Sequence, residues 1–259
     1  MLAQERYKVI CEMLQKQRTA KVTQLSSVLN VSRETIRRDL EYLEKEGLLV
    51  RVHGGASLVR FDTAQASFDA RLHEKYLQKE QIANTALQYI SEGQSISLDY
   101  STTSLALATK LKQHFQQLTV VTNSIEVFYT LSDVPSFNLI FCGGIFNHME
   151  RGCFGEQAHN VIRQLNIDTA FIGIGGISLR DGCTETFYEG VQMLKLFLQA
   201  AQQKIVLADS SKFDIVTLIK VCDLDNIDLI ITDSLAKKKI LEKYTGEIDI
   251  VFGNDPPLP

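Results

Sequence analysis

With 259 residues, 45% of them hydrophobic and 22% charged, the chain has the material for two ordinary domains with a core each, which excludes a disordered or fibrous protein. Its five cysteines, Cys11, Cys142, Cys153, Cys183 and Cys222, are odd in number, widely spaced and without a Cys-x-x-Cys, which excludes a disulfide framework and a zinc knuckle and fits reduced thiols in a cytoplasm. The net charge of −4 is uneven: the first 60 residues hold 11 Lys and Arg against 7 Asp and Glu, so that end carries +4, the remainder −8, and the basic end is the nucleic-acid end.

Taken in order, residues 4–17 carry Val9, Ile10, Met13 and Leu14 at helical spacing, and Thr23–Leu29 carries Leu25, Val28 and Leu29. Asn30-Val31-Ser32 is a tight link into a third helix, in which Ser32 is the N-cap and Gly47 the left-handed stop. Ile36, Leu40 and Leu43 make one apolar stripe of that helix. At about 100° per residue, Thr35, Arg37 and Arg38 project away from the stripe near the helix start, the end that a helix-turn-helix protein directs at base edges, and Arg33 adds charge for phosphates. Two short strands then flank the turn His53-Gly54-Gly55 as a wing. Leu48, Val50 and Val52 alternate there with Leu49, Arg51 and His53, which turns Arg51 and His53 outward toward DNA. Glu34, Asp39, Glu41, Glu44 and Glu46 offer another reading, a solvated face laced with salt bridges. That reading explains the charges but not the cap, stripe and wing together. Residues 1–58 are therefore expected to form a winged helix-turn-helix DNA-binding domain, and 59–73, with weak periodicity, a linker.

From Glu74 the pattern becomes the alternation of helices and strands that marks an α/β domain with a mostly parallel sheet, spanning 74–259. A helix over 74–91, closed by Gly93, is expected to bury Leu77, Ile82, Ala86, Leu87 and Ile90. Strands are expected at 95–99, 118–122, 137–142, 169–174, 205–209, 227–232 and 248–251, with helices at 104–112 and 188–203, and the tail GNDPPLP is expected to fray. Polar clusters follow the strands, where open α/β sheets bind ligands. The first is Asp99-Tyr100-Ser101-Thr102-Thr103, where hydroxyls and helix-start N–H groups converge on an anion such as phosphate; the same Ser-Thr run also serves as a plain helix cap. The others contain Asn123, the pair Gly143-Gly144, Gly175 in GIGG, and Lys212 in DSSK. Paired glycines also mark tight turns, and Lys212 also reads as an ordinary surface lysine.

The stretch SRETIRRDLEYLEKEGLLVRVHGGA resembles the signature of the DeoR family of bacterial transcription regulators. The pieces SISLDYSTT, VVTNS, CGG, AFIGIGGIS, VLADSSKF and IITDS resemble that family's sensor domain in the same order, so the resemblance spans nearly the whole chain. It implies a sensor related in fold to ribose-5-phosphate isomerase, repression of carbohydrate catabolic genes, and release from double-stranded operator DNA by a phosphorylated sugar or a related metabolite. Two departures bear on the ligand. Ser101, preceded by bulky Tyr100, stands where the family usually has glycine, and Leu194-Lys195 stands where it often has a Lys-Arg pair.

A homo-oligomer, dimer or tetramer, is expected, because one module reads only a half-site. The rival reading is a phosphosugar isomerase with an appended DNA module, using Asp99 and Glu185 as bases and Lys212 as a clamp. A third is an architectural DNA-binding protein without a small-molecule ligand. No cofactor or metal is expected, since His148, Cys153 and His159 match no standard structural zinc spacing. No apolar run nears the roughly 18 residues of a membrane span, and no secretion signal opens the chain, so a cytoplasmic location away from membranes is expected.

Overall fold

The computed structural model describes residues 6–7, 9–11, 13–14, 19–45, 49–52, 54–57, 67–235 and 237–253. The chain folds as two compact units, Met1–Ala66 and Ser67–Pro259. In the first, a helix α1 is described at residues 6, 7, 9–11, 13 and 14. It precedes β1 (Thr19–Lys21), α2 (Val22–Leu29), α3 (Arg33–Lys45), β2 (Val50–Val52) and β3 (Gly55–Ser57). Ile10 and Leu14 of α1, Leu25 and Leu29 of α2, and Ile36, Leu40 and Leu43 of α3 share one buried core. Asn30 closes α2 in a left-handed conformation with φ 50°, and the Ser26 hydroxyl donates to the Val31 carbonyl at 2.6 Å, which fixes the short turn into α3. Ser32 caps α3, its hydroxyl accepting from the Thr35 N–H at 3.1 Å. Gly47 and Leu48 lie outside the described residues.

Two details differ from the sequence reading. Val28 is 57% exposed, because Val22, Leu25 and Leu29 form the stripe of α2 and Val28 lies about 90° round from its centre. Leu49, expected to face outward, is buried, because β2 begins only at Val50 and the residue before it turns into the core. The wing is also one strand larger than expected: β1 pairs antiparallel with β3, giving the order β1-β3-β2.

The second unit opens with α4 (Phe68–His73) and α5 (Tyr76–Ala86). The stretch 59–73 was expected as linker, and from Ser67 onward it is ordered structure: Ser67 caps α4, Phe68 is buried, and the Phe68 N–H donates to the Met149 carbonyl at 2.8 Å. Left-handed Lys75 (φ 53°) separates the two helices. With α5 starting at Tyr76, its buried side is Lys79, Ile82, Ala83 and Ala86, and Leu77, expected in the core, is 73% exposed, about 140° round from Ile82.

The rest is built on β4 (Ser95–Leu98), α6 (Thr102–His114), β5 (Thr119–Thr122), α7 (Ile125–Leu131), β6 (Asn138–Phe141), β9 (Ile167–Gly173), β12 (Ala201–Leu207), β14 (Leu229–Thr232) and β15 (Ile250–Phe252). The seven strands form one parallel sheet in the order β15-β14-β12-β9-β4-β5-β6, and they are the seven read from the sequence. Helices α5, α6 and α7 cover one face through Ile82, Leu107, Leu111 and Val127, packed on Ile96, Leu98 and Phe171. The other face carries α8 (Glu156–Ile162), α9 (Tyr188–Ala200) and α10 (Lys237–Tyr244) on Ala170, Ile172, Val206 and Ile230. Neighbouring residues of β9 thus point to opposite cores, as the pleat requires. Two additions escaped the sequence: the hairpin β7 (Ile145–Asn147) and β8 (Gly152–Phe154), and a small antiparallel sheet of β10 (Gly176–Ser178), β11 (Gly182–Glu185) and β13 (Ile219–Cys222). These strands are three or four residues long, too short for an alternating pattern to register. Asn254–Pro259 of the tail lie outside the described residues.

Candidate functional site

On α3 the side chains of Arg37 and Arg38 are 65% and 80% exposed, and both lie near Glu34, at 3.4 and 4.0 Å. Exposed pairs of this kind are worth about 0–1 kcal/mol and exchange readily for phosphate. Asp39 differs, being buried in a two-pronged ion pair with Arg6 at 2.7 and 2.9 Å that ties α1 to α3. The acidic residues of the helix therefore divide into a structural one and a set along the solvent face. Arg33 is exposed, while Thr35 is half-buried and its hydroxyl lies 2.9 Å from that of Ser32. Arg51 in the wing is exposed but held by Glu44, which accepts from its Nε at 2.8 Å and its backbone N–H at 2.9 Å and is thereby lowered in pKa. His53 lies outside the described residues.

In the second unit the strand order reverses between β4 and β9. From β4 the chain builds outward through β5 and β6, and from β9 through β12, β14 and β15 in the other direction. Open α/β sheets place their ligand crevice at such a switch point, beyond the carboxyl ends of the strands. Here that edge is made by Asp99-Tyr100-Ser101, leading into α6, and by Gly173, which closes β9. Asp99 is buried, and both of its carboxylate oxygens are used: Oδ1 accepts from the Ser101 N–H at 3.1 Å and from the Ser104 hydroxyl, Oδ2 from the Gly173 N–H at 3.0 Å. Burial pushes this carboxyl up to about 6, while the hydrogen bonds pull in the opposite direction.

Ser101 caps α6, its hydroxyl accepting from the Ser104 N–H at 3.0 Å, and helix geometry leaves the first-turn N–H groups of Thr102 and Thr103 without intrahelical partners. The positive end of the α6 dipole lies at the same place. A Cβ on Gly173 would come within 2.5 Å of the Ser101 Cβ, so the two loops of the crevice touch. Gly173→Ala is expected to destabilise the protein by about 1–3 kcal/mol through overpacking, which a urea melt would measure.

Three cations border this edge. Lys79 of α5 is 7% exposed, donates from Nζ to the Arg71 carbonyl, and has its pKa lowered to about 8, chiefly by burial. Asp209 and Glu74 oppose that shift and Arg71 and Lys212 add to it, which places Lys79 beside the loop that follows β12. Lys212 ends the turn Ser210–Lys212 of that loop and is half-buried. Arg71 pairs with Glu150 at 2.6 Å.

Comparison with known proteins connects the two sites. Residues 6–60 match the DeoR-like helix-turn-helix domain, and residues 74–234 match the DeoR C-terminal sensor domain. The chain belongs to the DeoR family. Its relatives include the HTH-type transcriptional regulator GolR of Listeria innocua, 31% identical over 93% of this chain and 94% of that one. The glycerol-3-phosphate regulon repressor of Escherichia coli is 28% identical over 93% of this chain and 95% of its own. Among solved structures, a D-ribose-5-phosphate isomerase in complex with phospho-erythronic acid aligns at TM-score 0.41 and 17% identity, over 53% of this chain and 54% of that one. This DeoR-family chain is thus a DNA-binding transcriptional regulator, with a helix-turn-helix unit and a mostly parallel α/β sensor. No helix among its described residues is long and apolar enough to cross a membrane.

The regulator's sheet brings Asp99, Ser101, Thr102 and Thr103 together with Gly173 and Gly175, and sets Lys212 one strand further along, after β12. Gly175 lies under Glu185, whose Oε1 would be 3.1 Å from a Cβ there. Asn123 is one strand to the other side, fully buried, and donates from Nδ2 to the Cys153 carbonyl at 3.1 Å. Gly143 and Gly144 follow the edge strand β6, about 10 Å from β4 at the usual strand spacing. Both have positive φ, 64° and 105°, and a Cβ on Gly144 would lie 2.5 Å from the Phe154 carbonyl oxygen, so the turn itself explains this pair.

The departures at Tyr100 and Lys195 also find their places. The Tyr100 ring turns into the core, edge-on to Phe154 at 5.1 Å, and so leaves the loop unobstructed. Leu194 is buried, and Lys195 lines a cavity with Lys204 and Lys220 rather than the crevice. Sequence reasoning missed Lys79, although its signal was present: a lysine three and four residues before Ile82 and Ala83 lies on the buried stripe of its helix. Arg71 was hidden in the stretch read as linker.

Proposed function

We propose that this regulator is a repressor of carbohydrate genes that binds operator DNA through Ser32, Arg33, Thr35, Arg37, Arg38 and Arg51, and leaves it when a phosphorylated sugar occupies the β4/β9 crevice. The effector half is supported by the first turn of α6 at the switch point, together with the pair Lys79 and Lys212 beside the loop that follows the next strand but one, β12. Phosphate needs both: donors aimed at its oxygens and cations to offset its charge. One relative is a glycerol-3-phosphate regulon repressor, which agrees with a phosphorylated effector.

Asp99 serves this crevice as a brace. Its oxygens accept from Ser101, Ser104 and Gly173 and so tie the loops after β4 and β9 together, a structural role that suits a sensor. The regulator works as a cytoplasmic dimer or tetramer, since a symmetric pair of helix-turn-helix units reads two half-sites and one unit reads too little DNA for useful specificity. A thermal-shift screen of sugar phosphates beside their unphosphorylated sugars tests the reading, because a ligand that binds only the folded state raises Tm. A rise with at least one phosphorylated sugar, absent for its free sugar, is expected. Turnover of an aldose or ketose phosphate would instead establish an enzyme, and no shift with any phosphorylated compound would remove the effector.

A further inference from the structure

Cys183 on β11 and Cys222 on β13 are direct partners across two antiparallel strands, at the point where the register of the pair shifts. Both are free thiols. Directly opposed antiparallel residues have Cα atoms about 4.5–5.5 Å apart, inside the roughly 4.4–6.8 Å range that a disulfide spans. Residues directly opposed across antiparallel strands also carry their side chains on the same face of the sheet.

The two sulfurs differ in access. Cys183 is fully buried. Cys222 is partly exposed and lines a cavity of ≈ 500 Å³ together with Lys195, Lys204 and Lys220. Its thiol is held below the ordinary value by the Cys183 hydrogen bond first, then by Lys195 and Lys220, against burial and Asp223. The remaining cysteines go the other way: burial raises Cys11 and Cys153, and lifts Cys142 to about 12. One partly exposed sulfur beside lysines, with a second thiol opposite it on the next strand, is the arrangement of a reactive cysteine and its resolving partner.

We propose that Cys222 and Cys183 form a peroxide-sensitive dithiol, with Cys222 as the attacking sulfur and Cys183 as the resolving one. The Cys222 thiolate attacks one oxygen of hydrogen peroxide, the O–O bond breaks, and the sulfur becomes a sulfenic acid while the other oxygen leaves as hydroxide and takes up a proton to form water. The Cys183 sulfur then attacks the sulfenic sulfur, the S–O bond breaks, an S–S bond forms, and the hydroxyl leaves with the Cys183 proton as a second water. In sum, two thiols give two electrons and two protons to one peroxide, and a dithiol reductant reverses the change. Closure ties β11 to β13, and β11 carries Glu185, which lies over Gly175 beside the crevice.

The test uses the full chain and no effector, so its outcome is separate from that of the effector site. Protein treated with hydrogen peroxide is denatured, alkylated and mapped by mass spectrometry. The Cys183 and Cys222 peptides should be recovered joined, with Cys11, Cys142 and Cys153 alkylated. Before oxidation, Cys222 in the native protein should alkylate at least about tenfold faster than Cys142 near neutral pH. In Cys183→Ser, dimedone should trap a sulfenic acid at Cys222, and in Cys222→Ser, Cys183 should stay a free thiol through the same treatment. Retention of both thiols in the oxidised wild type, or prior oxidation of Cys142 or Cys153, would overturn the proposal, and neither readout depends on a variant folding.

Discussion

Lys212→Ala and Lys79→Met are expected to leave operator affinity near that of the wild type while weakening effector-driven release by about tenfold or more each, the loss of one charge-assisted hydrogen bond. Neither residue belongs to the helix-turn-helix unit, so DNA binding without effector has no direct reason to change. A ligand moves the DNA-competent population only through its different affinity for the two states, and operator must weaken ligand binding by the same factor. Lys79 adds a pH signature. An anion binds its protonated form, and in the free protein that form is lost as pH rises through about 8. Raising the pH from about 7 to about 9 should therefore weaken the effector by roughly tenfold in the wild type and much less in Lys79→Met, where no proton remains to be lost. Titration of operator release at both pH values measures this. Midpoints equal to wild type in both variants would place the effector elsewhere.

The sheet was legible because its strands are buried on both faces and read as apolar runs such as IITD and AFIGIG, flanked by amphipathic helices. The carboxyl-edge clusters were legible because polar residues directly after such runs have few other places to go. What the sequence did not show was how the edge is divided. Asp99 reads as part of the anion cluster or as a base, and only the approach of β9 to β4 reveals that its oxygens accept from Gly173 and Ser104. Gly143-Gly144 and Asn123 also follow strands, and they lie on the opposite side of β4 from β9; strand order, a long-range property, is what local pattern does not carry. Lys79 was missed for the opposite reason. Ile82 and Ala86 were read as core, and the lysine that shares their side of the helix was passed over. Arg51 shows the same limit on the DNA side, since its partner Glu44 comes from a different element.

Arg38→Ala is expected to cost on the order of 1–3 kcal/mol of operator affinity and to relax specificity at one base position, whereas Arg37→Ala should weaken binding to all sequences alike. The distinction rests on position and exposure. Arg38 is the more exposed of the two and is held to Glu34 only at 4.0 Å, so it is free to reach a base edge with both prongs of its guanidinium. Arg37 lies closer to Glu34, at 3.4 Å, and nearer the apolar stripe of the helix, on its flank. A phosphate contact releases counterions, so its removal should lower the slope of log K against log salt by about one unit and leave the preference between operator and random DNA unchanged. Loss of the base contact should do the reverse, shrinking that preference with little change in slope. Binding isotherms at three salt concentrations, on operator and on scrambled duplex, separate the two. If both variants bind as wild type does, α3 is not the helix that reads the operator, and the basic first unit meets DNA through another surface.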